Sequence, residues 1–177
     1  QWCMIPNSTY DVEGFLSDWR LDGIILTGGE DLGMNPLRDN LESQIINISV
    51  NQKMPILGVC RGAQVIASYF GATLDSIEGH VAQIHPLYLE EDAADFVTGR
   101  QISVNSYHSQ TIIAAGFPSV LRALGGDADG NIEFFKVREL PIWSIMWHPE
   151  RHGPQSQEAL SSELITRIFI GTNGARI

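Results

Sequence analysis

Cysteine is scarce in this chain. Two in 177 residues, Cys3 and Cys60, exclude a disulfide framework, which small secreted domains build from more cysteines in fewer residues. The cytoplasm is the plainest location for such a composition. Cys3, inside the apolar segment Trp2-Cys3-Met4-Ile5-Pro6, reads as a small buried side chain. Positive charge is also scarce: 11 Lys and Arg stand against 21 Asp and Glu, for a formal charge of -10 and a pI of about 4.8. Nucleic acid and anionic membrane surfaces both demand a basic face, so neither is expected as a partner. One anionic small molecule in a locally basic pocket is not excluded. No apolar run approaches the roughly 20 residues that span a bilayer, and no basic, Leu-rich leader opens the chain. Internal repeats, low-complexity tracts and dividing linkers are absent as well, so residues 1–177 read as one domain. With 44% hydrophobic residues, that domain has enough apolar surface for a substantial core.

The apolar residues are arranged in two textures. Trp2 to Pro6 reads as a short strand and Asp11 to Trp19 as a weak helix. Asp22 to Thr27 is a buried strand that stops at Gly28-Gly29. Asp39 to Gln52 carries helical spacing in Leu41, Ile45, Ile46 and Val50. Pro55 to Val59 is a second buried strand, and a helix follows Cys60 and ends near Gly71. Strand and helix alternating, with continuous apolar strands, indicate a parallel sheet covered on both faces. After Gly79 short strands take over, around Ile102 to Val104, Leu121 to Leu124, Ile132 to Val137 and Ile142 to Trp147. The turn Asp127-Ala128-Asp129-Gly130-Asn131 separates two of them. A last helix runs from about Ser156 to Ile170.

The segment "ILGVCRGAQVIASYF" places Cys60 between an apolar strand and a helix, with Gly58 and Gly62 two residues to either side. A strand ending in G-x-C-x-G and passing at once into a helix is the sulfur form of a nucleophile elbow. Such a tight turn leaves room only for minimal neighbours, which accounts for the glycines. The helix beyond it aims free N–H groups and its positive dipole end at the sulfur. Both favour thiolate, the attacking species. A base is then required, and "WSIMWHPER" supplies one. A strand rich in Trp, Ile and Met ends in His148, Pro149 restrains it to extended backbone, and Glu150 two residues on projects to the same side. A carboxylate there can fix the ring's tautomer and stabilise the imidazolium.

"GVCRGAQ" and "WHPE" resemble the class I glutamine amidotransferase domain. "LTGGEDL", "VNSYHSQTI" and "DGNIE" narrow the resemblance to the γ-glutamyl hydrolase (peptidase C26) branch, which cleaves γ-glutamyl amides such as γ-glutamyl-γ-aminobutyrate. It covers about residues 2 to 170, with the motifs in the family's order. It implies a flavodoxin-like three-layer α/β/α fold with a mostly parallel central sheet. The family opens with a strand and a helix before the segment matching Trp2 to Pro6, and this sequence, beginning at Gln1, lacks them. That strand is central in a doubly wound sheet, so a neighbouring strand is expected to stand exposed.

The resemblance implies that Cys60 is the nucleophile, His148 the base and then acid, and Glu150 its orienter. The oxyanion would be met by the backbone N–H groups of Arg61 and Gly29, with Gly28 beside them so that backbone approaches substrate closely. Gln64, one helical turn after Cys60, would help hold the glutamyl amino and carboxylate groups, and Asn105, Ser106, Tyr107 and His108 would line the same pocket. For each residue a plainer reading stays open: an exposed helical Gln64, a structural hydrogen-bonded His108, and an Arg61 side chain paired with a carboxylate of the fold. His80 and His85 in "GHVAQIHPL" lack a third ligand, so no metal is expected, and they read as a loop edging the site. Glu90-Glu91-Asp92 reads as a solvated turn and His152 as exposed.

The implied chemistry needs no cofactor. Cys60 attacks a γ-glutamyl carbonyl, His148 protonates the departing amine, and water releases glutamate from a thioester. The leaving group is open among a small amine, a polyamine derivative, a peptide-like conjugate and a nucleotide-linked amidate. Two other readings remain. One is a glutaminase subunit delivering ammonia to a synthase partner. The other is a non-enzymatic binding protein on the same fold, against which an intact Cys60, His148 and Glu150 argue. A homodimer is also open.

Overall fold

Alternating side chains send the apolar residues of this chain to two faces of one sheet. In a strand successive residues point to opposite sides. Accordingly Ile56 and Leu57, neighbours in sequence, belong to different apolar clusters, as do Phe134 and Phe135. A computed structural model describes residues 2–93, 96 and 99–171. Its elements in order are α1 (Val12–Asp18), β1 (Ile24–Leu26), α2 (Pro36–Gln52), β2 (Ile56–Val59), α3 (Arg61–Tyr69), β3 (Leu74–Ser76), β4 (Val81–Leu89), β5 (Gln101–Tyr107), β6 (Gln110–Ile112), β7 (Leu121–Gly126), β8 (Ile132–Val137), β9 (Ile142–Ile145) and α4 (Gln155–Ile165). A 3-10 turn spans Glu91–Ala93 and a π-helical turn, Thr166–Ile170, extends α4.

The sheet runs β1-β2-β9-β8-β7-β4-β5, with β3 and β6 paired to each other and β6 joined to β8. Helices α1, α2 and α3 bury Val12, Leu16, Leu41, Ile45, Ile46, Val65 and Ile66 on one face. Helix α4 buries Leu160 and Leu164 on the other, with Ile168 beyond its end. The result is the expected three-layer α/β/α fold. The sheet itself is mixed, not mostly parallel. Parallel pairing is confined to β1–β2 and β2–β9, and the remaining described pairs are antiparallel. Loop length is the reason. Parallel neighbours need a helical crossover, and after α3 the connections become too short to carry one.

Three local expectations are corrected. Trp2 to Pro6 forms no strand; it has no ladder partner, Trp2 and Met4 are exposed, and Cys3 is only half-buried. β1 is shorter than expected and lies at the sheet edge, where Ile25 is 51% exposed. Of the two histidines expected in a loop, His80 lies in one, immediately before β4, whereas His85 lies within that strand. Strands β3, β4 and β6 were not legible from the sequence. Of the acidic run, Glu90 and Glu91 are exposed, and the Asp92 side chain lies outside the described residues. Among the described residues, no helix is long and apolar enough to cross a membrane.

The parallel strands position the residues that carry chemistry. β2 ends at Val59 and α3 starts at Arg61, so the single residue between them, Cys60, must reverse the chain. β9 runs parallel beside β2. Its continuation carries Trp147, fully buried with Nε1 donating to Ser161 Oγ of α4 at 3.0 Å. That bond anchors the residue immediately before His148.

Candidate active site

Cys60 occupies a backbone conformation that L-residues rarely adopt, φ 51° and ψ -108°. Such strain costs on the order of 1–3 kcal/mol and persists only where surroundings enforce it. Here the Cys60 N–H donates to Ile145 O at 2.8 Å and its carbonyl accepts from Gln64 N at 3.1 Å. The two glycines are required by contact. A Cβ on Gly58 would lie 2.7 Å from Ile66 Cδ1 and 2.8 Å from the backbone of Gly62. A Cβ on Gly62 would lie 2.1 Å from the carbonyl oxygen of Leu26 in β1. Gly62→Ala must therefore push α3 off the sheet. We expect a loss of about 3 kcal/mol and a Tm lower by roughly 10 °C, read by thermal unfolding. An unchanged Tm would mean that the elbow is not packed this tightly.

The Gly28-Gly29 turn at the end of β1 faces this elbow. The point where a Gly28 side chain would begin lies 2.9 Å from His148 Cε1 and 3.7 Å from Cys60 Cβ, so the turn, the thiol and the imidazole converge there. An ion-pair network holds the turn, and the sequence motifs do not reveal it. Arg38 Nη2 donates to the carbonyls of Thr27 and Gly28 at 2.7 and 3.2 Å, and its Nε donates to Glu42 at 2.7 Å. Glu42 and Asp39 also receive the guanidinium of Arg61, whose side chain is 1% exposed. The plainer reading of the Arg61 side chain is therefore the observed one. The one signal of the network along the chain is an i, i+4 pair, Arg38 and Glu42, near the start of α2.

His148 is buried, and its Nδ1 lies 2.6 Å from Glu150 Oε1. Because the carboxylate only accepts, Nδ1 carries the hydrogen, and in the neutral ring Nε2 is left bare. Nε2 is buried and has no hydrogen-bond partner among the described residues. The loop holding this ring is bracketed by Asn105, whose Oδ1 accepts from His148 N at 2.8 Å and whose Nδ2 donates to His148 O at 3.0 Å. Gln157 Nε2 donates to the same carbonyl at 3.1 Å, while its Oε1 accepts from Asn105 N at 2.7 Å. Tyr107 meets the imidazole edge-on with centroids 5.5 Å apart, and the Arg151 guanidinium lies 3.9 Å over the tyrosine ring.

Several expected pocket residues are thus engaged with the protein itself. Both amide atoms of Asn105 are taken up by the His148 loop. Gln64 is buried, not exposed, and donates to Gln110 O at 3.1 Å. Ser106 Oγ donates to His80 O at 2.6 Å. His108 Nδ1 lies 2.9 Å from Gln110 O, and its Nε2 faces the buried Glu133 carboxylate at 3.3 Å. His80 and His85 face the same carboxylate, so the two histidines that lacked a third ligand in sequence have His108 and Glu133 as neighbours. Burial pushes the His80 pKa below its ordinary range, against the pull of Glu133. His152 is exposed, as expected.

Burial works against the expected thiolate. Burial pushes the Cys60 pKa from the usual 9.0 up to about 11, and the charges of Glu133 and Glu150 add to the rise. The Arg61 N–H, which hydrogen-bonds the sulfur, and the Arg151 charge oppose it without prevailing. A thiol titrating there gains roughly tenfold in thiolate per pH unit up to its pKa. Alkylation of Cys60 by iodoacetamide, followed by peptide mass spectrometry, should therefore keep accelerating from pH 8 through pH 10. A plateau reached by pH 8 would show a thiolate at rest.

Comparison with known proteins bears on this geometry. The sequence model of the peptidase C26 family matches residues 4–150. The chain is 33% identical over 149 residues to the γ-glutamyl-CDP-amidate hydrolase of Campylobacter jejuni, covering 81% of this chain and 69% of that protein. It is 28% identical over 148 residues to a subunit of the glutamine-hydrolysing GMP synthase of Methanococcus aeolicus, covering 83% of this chain and 73% of that one. A crystal structure of a candidate GMP synthase subunit from Thermoplasma acidophilum superposes with a TM-score of 0.76. It is 24% identical and covers 93% of this chain and 79% of the other. That likeness concerns the fold.

Proposed function

The chain belongs to the peptidase C26 family, of class I glutamine amidotransferase-like proteins, and from that premise we propose that it hydrolyses the γ-glutamyl amide bond of a small γ-glutamyl conjugate. The observation that carries the proposal is the bare, buried Nε2 of His148, fixed by the 2.6 Å contact of Nδ1 with Glu150 and converging with Cys60 on Gly28. A base with its proton already on the far nitrogen can take the thiol proton of Cys60 when substrate arrives.

In this reading the raised thiol pKa matters. Cys60 stays protonated until the γ-carbonyl is in place, and transfer to His148 accompanies attack. The oxyanion is received by the N–H of Arg61, which already faces the sulfur, and by that of Gly29. Two such donors in a dry site are worth several kcal/mol to a tetrahedral intermediate. The imidazolium then protonates the departing amine, and the γ-glutamyl thioester on Cys60 is hydrolysed by water that the same ring activates. The glutamyl group would lie against Gly28 and the segment of Gln64, Asn105, Ser106, Tyr107 and His108. With the side chains of Gln64 and Asn105 already bonded to the fold, the backbone and Tyr107 would contact it.

The Campylobacter relative acts on a γ-glutamyl amidate of a nucleotide, which makes that class of leaving group the first to test. The second reading, a glutaminase that passes ammonia to a synthase, draws its support from the GMP synthase subunits. One panel separates them: glutamate release from glutamine, γ-glutamyl-γ-aminobutyrate, a γ-glutamyl peptide and a γ-glutamyl nucleotide amidate. We expect fast release from one conjugate and at least a roughly hundredfold lower kcat/KM on glutamine, a gap of about 2.7 kcal/mol. Release from glutamine alone would replace the hydrolase reading by the glutaminase one.

A further inference from the structure

We propose that His80, His85, His108 and Glu133 form a binding site for one divalent transition-metal ion, with zinc the best match, and that the ion pins the Tyr107 segment beside the catalytic histidine. The four side chains come from three parts of the chain: β4 with the residue before it, the turn between β5 and β6, and β8. Each contributes one donor atom, and these atoms all lie within 4.8 Å of one another.

The hydrogen bonds around the cluster show why a cation belongs there. His108 Nδ1 lies 2.9 Å from the Gln110 carbonyl and His85 Nδ1 lies 3.0 Å from the Pro86 carbonyl. A carbonyl can only accept, so both Nδ1 atoms carry hydrogen, and in the neutral rings both Nε2 atoms are bare. Those two bare nitrogens face Glu133, whose carboxylate is fully buried and also only accepts. His80 presents Nδ1 to Glu133 at 3.7 Å and has Nε2 turned to Asp127 Oδ2 at 3.6 Å. The Nε2 atoms of His85 and His108, Nδ1 of His80 and both Glu133 side-chain oxygens are buried without a hydrogen-bond partner. In the neutral rings, lone pairs therefore face lone pairs in a buried space, an arrangement that costs several kcal/mol unless a positive species lies between them.

A proton shared between ring and carboxylate would draw each pair into a hydrogen bond. The observed separations of 3.3, 3.7 and 4.0 Å make none. They suit a metal better. Zinc bonds of about 2.0–2.1 Å in a tetrahedron put neighbouring donors about 3.4 Å apart. The surroundings also have the form of an outer shell, in which each ligating imidazole gives its other N–H to a carbonyl or carboxylate. Gln110 O and Pro86 O play that part for two rings, and Asp127 is placed to play it for the third. Asp127 is held in turn by Asn131 and the turn of Asp129. Three imidazoles and one carboxylate are a set that zinc accepts, and four protein donors close the tetrahedron. The site is accordingly structural. It would fasten β4, β8 and the residue after Tyr107, whose ring packs on His148.

The test is calorimetric titration of Zn²⁺ into the full chain after chelator treatment, with a parallel Co²⁺ titration followed by visible absorption. We expect saturable binding of about one ion per chain, the intense absorption of tetrahedral Co²⁺, and binding at least roughly a hundredfold weaker in His85→Ala. No saturable binding, or equal binding by His85→Ala, would overturn the proposal. Should that variant fail to fold, the Co²⁺ spectrum of the unaltered chain decides alone: a weak octahedral spectrum refutes the four-donor site.

Discussion

Cys60→Ser should lower glutamate release from the preferred γ-glutamyl conjugate by roughly 10,000-fold or more while leaving the fold in place. The expectation rests on the contrast between what the position asks of packing and of chemistry. Packing asks for a small side chain in a strained turn, and serine fits where cysteine did. Its hydroxyl can also accept from the Arg61 N–H that now reaches the sulfur. The proposed chemistry asks for an atom that attacks a carbonyl and then leaves from a thioester, and an alcohol in place of the thiol does neither well. Two measurements belong together: kcat/KM on the substrate found by the panel, and Tm. Loss of turnover with Tm within about 2 °C of the unaltered chain is the expected pair. A variant that keeps a tenth of the activity would remove Cys60 from the mechanism.

His148→Ala should cost nearly as much, about 1,000- to 10,000-fold in kcat, because in the proposed mechanism one imidazole serves as base for attack, acid for the leaving amine and base again for water. Glu150→Ala should cost far less, about tenfold. The two residues touch at 2.6 Å, yet their surroundings differ. The His148 side chain is 7% exposed and Glu150 is 59% exposed. Water can replace an exposed carboxylate as the partner of Nδ1, and it screens the charge that stabilises the imidazolium. Asn105 and Gln157 also hold the loop through its backbone, independently of Glu150. Kinetics of the two variants on one substrate test this ordering. A Glu150→Ala loss equal to that of His148→Ala would mean that some other group orients the ring.

The elements legible in the sequence were those whose cause is local. The elbow needs a strand, one reversing residue and a helix within a dozen positions, and Gly58 and Gly62 announced the crowding that their contacts with Ile66 and Leu26 display. His148 and Glu150 are two residues apart, so their contact depends little on the rest of the chain. Strands β3 and β6 are short and pair with each other across a long stretch of chain, and β4, though it pairs with the next strand, has a weak pattern of its own. β4 shows mostly exposed residues over its first half and breaks its register with β5 between Val81 and Gln83.

The family, the three-layer class and the candidates for nucleophile and base could all be read along the chain, since motif spacing and hydrophobic alternation are linear properties. The state of those groups and their company came from packing alone. Packing pushes the Cys60 pKa up, because burial outweighs the Arg61 N–H and the Arg151 charge. It bonded the side-chain amides of Asn105 and Gln64 to neighbouring backbone carbonyls. It tied Arg61 to α2. It also drew three histidines and a glutamate from three separate segments around one point. Burial and long-range approach are properties of the packed chain, and no spacing of residues along the sequence expresses them.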